Sequence, residues 1–148
     1  MKDSTEFTTS GLLSRLLKTT SIKRFVDHYD EELKSEPFSK YLESLCNEKG
    51  MIPSAVLKTA NIERTYGLQI FRGIKNPSRD KVIQLAFGFA LDVGETQKLL
   101  KAADKSMLYS KIKRDAVIIY CLKNSINVTD AQVILSDLQL PLLGGETV

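Results

Sequence analysis

The sequence predicts an all-α fold, and three observations carry that prediction. Apolar residues recur at helical spacing along most of the chain: Ile22, Phe25, Val26 and Tyr29; Phe38, Tyr41, Leu42 and Leu45; Ala131, Ile134, Leu135 and Leu138. Residue types that start and stop helices stand at the ends of these stripes. The chain has 148 residues, 43% hydrophobic and 26% charged, which fits one globular domain or a domain with an appendage.

The elements follow in order. Residues 1–9 are polar and are expected to be disordered. Leu12, Leu13, Leu16 and Leu17 predict a short amphipathic helix. Ser21 or Thr20 caps a second helix carrying Ile22 to Tyr29, with Leu33 completing its stripe. The acidic run from Asp30 to Pro37 reads as a helix end and connector. A third helix carries Phe38 to Leu45 and closes at Gly50. Beyond a basic loop, Val82, Ile83, Leu85, Ala86, Phe89 and Ala90 predict an apolar helix at the centre of the core. Asp92 and Glu95 have capping-box spacing, and Leu99, Leu100 and Ala103 continue inward. Residues 116–122, AVIIYCL, are rich in β-branched and aromatic types that strands also favour. The length of the run and its helical neighbours predict a helix instead. Asn127 caps a last helix that Pro141 and Gly144-Gly145 end. The sequence displays no internal repeat.

Residues 53–79, PSAVLKTANIERTYGLQIFRGIKNPSR, are the most informative stretch. Pro53 suits a first helical turn. Val56, Leu57 and Ala60 face inward. Asn61 stands where the chain must reverse and tolerates the left-handed conformation. Ile62 plugs the space between two helices, and Glu63 to Phe71 resumes a helical pattern with Gly67, Ile70 and Phe71 inward. Gly73 is the expected C-cap. Arg64, Thr65, Leu68, Gln69 and Arg72 are left outward, with Tyr66 at the border. Arg and Gln offer bidentate hydrogen bonds to guanine and adenine edges, and Thr can touch a thymine methyl. Arg72, Lys75, Asn76 and Arg79 suit phosphate. This is the layout of a helix-turn-helix, whose second helix enters the DNA major groove. Leu68 either contacts a thymine methyl or meets a partner. Residues 51–83 hold Lys58, Arg64, Arg72, Lys75, Arg79 and Lys81 against Glu63 and Asp80. That surplus of four positive charges exceeds the +3 of the whole chain, as an electrostatic footprint on DNA requires.

Residues 38–104 resemble the Cro/C1-type (XRE-like, lambda-repressor-like) helix-turn-helix domain. The resemblance rests on FSKYLESLCNEKG, PSAVLKTANI, RTYGLQIFRG, NPSRDKVIQLAFGFAL and GETQKLLKAAD, and most of all on residues 64–79. It implies a five-helix domain over 37–104 whose third helix reads DNA; the apolar stripes outside it predict a helical extension at 1–36 and another at 105–148 packed on the core. Ile52 and Pro53 occupy places where the family often has Ser followed by Gln or Lys. Ser54 is then the nearest polar candidate for a contact from the preceding helix. The resemblance implies a transcriptional regulator of bacteria or phages that binds double-stranded DNA, and readers of this type bind as symmetric dimers. The alternative is a protein-binding adaptor on the same scaffold.

Other chemistries find little support. His28 is the only histidine and sits among charged neighbours, so a base–nucleophile pair and a zinc site are not expected. Cys46 and Cys121 lie on apolar stripes and read as buried thiols. Asp27, Asp30, Glu31 and Glu32 read as a solvated helix end rather than a divalent-metal site. Lys111, Lys113 and Arg114 read as a solvated helix start, with a second DNA-backbone contact as the alternative. No catalytic set, cofactor motif, signal peptide or membrane span is recognised, so the expectation is a cytoplasmic non-enzyme.

Overall fold

The structure, a computed structural model, describes residues 9–29 and 36–144. The expectations for the first eight residues, for Leu33 and for most of the acidic connector lie outside the described residues. Among those described, nine helices and no strand are found. They are α1 (Thr9–Lys18), α2 (Ile22–His28), α3 (Phe38–Lys49), α4 (Pro53–Ala60), α5 (Arg64–Phe71), α6 (Arg79–Gly88), α7 (Val93–Ala102), α8 (Lys113–Lys123) and α9 (Val128–Asp137). None is long and apolar enough to cross a membrane.

The chain divides into two compact units, residues 1–36 and 37–148. In the first, Ser21 caps α2 through the Arg24 amide. Phe25 and Tyr29 are buried with ring centroids 4.8 Å apart. Ile22 and Val26 of the same stripe are exposed, because a helix of two turns buries only one line of side chains here.

The second unit is built around α6, whose residues from Val82 to Gly88 are all buried. Helix α4 crosses it closely. A Cβ at Gly88 would stand 2.5 Å from the Val56 carbonyl oxygen, so this crossing needs glycine. α7 also packs on α6, α3 packs on α5 and α7, and α8 packs on α7 and α9. One continuous core runs from Leu42 to Leu143. It holds Cys46 and Cys121 as free thiols whose pKa burial raises. Ala90 departs from its expected inward place. It is exposed, with φ 55°, one residue past the Phe89 cap. The last helix ends at Asp137, before Pro141, because Gln139 turns left-handed at φ 59°.

The structure corrects the reading that the chain has no repeat. Residues 79–109 and 114–144 are two copies of one motif, offset by 35 residues. Each copy is a helix hairpin followed by a loop. Ala90 (φ 55°) and Ser125 (φ 54°) reverse the two hairpins, and Asp92 and Asn127 cap their second helices. Asp104 (φ 62°) and Gln139 (φ 59°) then end those helices. Gln97 clasps the backbone of Leu108 through both amide atoms at 2.8 and 2.7 Å. Gln132 clasps Leu143 in the same way at 2.9 and 2.8 Å. Sequence mutes the repeat because only eight of the 31 positions keep their identity: Arg-Asp at the start, the clasping Gln and five apolar residues that a helical chain repeats anyway.

The two copies hold one another reciprocally. Arg79 pairs with Asp115 and Arg114 with Asp80, each at 2.9 Å. The Tyr109 amide donates to Asp115 and the Gly144 amide to Asp80, both at 2.9 Å. Each arginine also donates to two carbonyls of its own copy's loop: Arg79 to Ser106 and Met107, Arg114 to Pro141 and Leu142. Helix α6 meets α9 as α7 meets α8. Reciprocal contacts of this kind define an approximate two-fold relation. Arg114 is therefore not a solvated charge, as its place at a helix start suggests.

Candidate nucleic-acid interface

Helices α4 and α5 form the candidate interface, and their sequence explains their geometry. Pro53 opens α4 after Ile52, which makes no side-chain cap. At the other end Asn61 adopts φ 58° and ψ 43°, the left-handed conformation expected of it. That reversal lets the Ile62 amide bond the Leu57 carbonyl at 3.0 Å, closing the helix end as glycine usually does. Ile62 is buried below the turn. Glu63 is the cap of α5 rather than its first residue. Its carboxylate accepts from the Tyr66 amide at 2.7 Å and the Thr65 amide at 2.9 Å. Those backbone bonds, Tyr66 first, hold its carboxyl below the usual carboxylate range.

Two residues fix the pair in ways that local sequence does not announce. Gly67 brings α5 against α4, and a Cβ there would stand 2.3 Å from Leu57 Cδ2. Gln84, buried in α6, donates its Nε2 to the carbonyls of Ala60 (3.1 Å) and Asn61 (3.3 Å). It holds the turn from beneath. A lone Gln inside an otherwise apolar helix was the available signal.

With Gly67 and Ile70 buried and Tyr66, Leu68 and Phe71 packed partly against the core, α5 presents a narrowed face. Arg64, Thr65 and Arg72 are exposed, while Tyr66, Leu68 and Gln69 are half-buried. Ser54 and Arg64 come together in one cleft of about 490 Å³ with Lys58. Arg72 lines a second cleft of about 490 Å³, on the side of α3, with Leu68, Pro53 and Ile52. Lys75 and Asn76 are exposed on the loop that follows, past Gly73 at φ 78°. Arg79 stands apart from these residues. Its guanidinium is engaged by Asp115 and two carbonyls, so it acts as a tie between α6 and α8.

Among the described residues no group of three or more His, Cys, Asp or Glu side chains is placed to hold a metal ion. Comparison with protein-family models, with curated proteins and with solved structures finds no match.

Proposed function

We propose that this protein is a sequence-specific double-stranded DNA-binding regulator of the lambda-repressor-like type, with α3 to α7 as its reading domain. One observation carries the proposal. The α4–α5 pair is closed by a left-handed turn, buries Gly67 and Ile70, and leaves Arg64 and Thr65 exposed and Gln69 half-exposed beside an exposed basic loop. In this reading α5 enters the major groove. Arg64, Thr65 and Gln69 meet base edges, with Tyr66 assisting. Ser54, Arg72, Lys75 and Asn76 fix the register on phosphates. Arg79 contributes indirectly by bracing the first turn of α6. Two copies would present their α5 helices about one DNA turn, ~34 Å, apart.

A mobility-shift assay against duplexes selected from a random-sequence library tests this, run at two salt concentrations because phosphate contacts make affinity salt-dependent. Selection of no duplex at low salt would remove the reading.

A protein-binding adaptor is the second reading, favoured by a specific observation. Ile52 and Ile74, 64% and 65% exposed, stand at the start of α4 and in the loop after α5, flanking the polar face. Such side chains add apolar area to a protein interface and offer no hydrogen bond or charge to a phosphate.

A further inference from the structure

We infer that the loop leading into α8, with the first residue of that helix, is a second phosphate-contacting element, in which Lys111 and Lys113 hold DNA backbone beside the stretch faced by α5. The inference rests on the DNA-binding reading and extends its footprint into the second copy of the repeat. The reciprocal pairs Arg79–Asp115 and Arg114–Asp80 join the first turns of α6 and α8 side by side. The loop before α6 carries Lys75 and Asn76, already assigned to phosphate. Counted back from the paired arginines, and outside the two copies, Lys111 stands where Asn76 does and Lys113 where Ser78 does. Both loops thus lead into one pair of adjoining helix starts.

Charge points the same way. Arg79, Asp80, Arg114 and Asp115 neutralise one another within the clasp. What the junction leaves to solvent is basic: Lys111 and Lys113 are exposed, and residues 105–113, KSMLYSKIK, contain three lysines and no carboxylate. Paired, carbonyl-bonded arginines make the joint rigid, and the lysines before them reach outward. The arginine forks are used up on fixed carboxylates, and the lysines remain free to meet phosphate as point charges.

The test compares the wild type, the double variant K111Q/K113Q and the control K98Q on library-selected duplexes. One duplex extends a helical turn, ~10 base pairs, beyond the selected site at each end, and one is trimmed to it. Loss of two phosphate contacts lowers the slope of log K against log salt by about 1.8 on the long duplex. Base preference stays unchanged and K98Q behaves as wild type. Trimming weakens the wild type to the level of the double variant and leaves the double variant unaffected. A slope equal to wild type in a variant with an unchanged thermal melt overturns the inference while the DNA-binding reading stands. A wild type that selects no duplex overturns both.

Discussion

Asn61 decides whether α4 and α5 can meet. Its φ of 58° lies where side chains with a branched Cβ are most strained. Asn61→Val is expected to destabilise the protein by about 1–2 kcal/mol. Asn61→Gly should be neutral or stabilising, since glycine adopts that φ at no steric cost. Thermal melts of the two variants measure this, and a Val variant as stable as wild type would contradict it. Asn61, the Asp92–Glu95 capping box and the Asn127 cap were legible because each depends on residues within one helical turn. Gln84 and Gly67 were not legible in the same way. Gln84 binds carbonyls more than 20 residues away, and Gly67 answers to a leucine ten residues earlier. The lone Gln of α6 and the inward glycine of α5 stand out in the sequence, but what each one meets is set by tertiary packing.

At the scale of elements, the clasp between α6 and α8 makes the C-terminal helices one body with the α3–α7 core. Burial pushes the Asp80 carboxyl up, but the Arg114 hydrogen bonds, the Gly144 amide and the charges of Arg114 and Arg79 outweigh it, leaving it below its ordinary value. A carboxylate with a depressed folded-state pKa stabilises the protein above its unfolded value, near 3.9, and loses that contribution as pH falls through the folded value. Melting temperature should therefore drop on acidification below about pH 4. Asp80→Asn should cost about 1–3 kcal/mol at neutral pH and lose less than wild type on acidification. Parallel losses in the two proteins would mean that Asp80 does not report the clasp. The helices joined by the clasp were legible from their apolar stripes. Their kinship was not, because only eight of the 31 paired positions are identical and five of those are apolar, while the rest of the likeness lies in turn conformations and caps. Arg114 was misread for a related reason: its partner Asp80 is 34 residues away.

For the molecule as a whole, the proposal asks two copies to act together on paired half-sites. Leu138, which caps α9 at the end of the last stripe, remains exposed, while Leu135 is buried and Ile134 packs on the core. Part of the last stripe therefore remains open to a second copy. Sedimentation at micromolar protein, with and without selected DNA, should show a dimer at least on DNA; a monomer in both conditions would remove the dimer from the account. The central claim is that α5 reads bases. Its most direct measurement is the affinity of Arg64→Ala and Gln69→Ala for the selected duplex and for random duplex, beside Arg72→Ala. Each of the first two should cost about 1–3 kcal/mol on the selected duplex and relax preference at one base position, while Arg72→Ala weakens both duplexes alike and flattens the salt dependence. Binding of both base-edge variants to the two duplexes with wild-type affinity would contradict the claim and leave the α4–α5 surface to a protein partner.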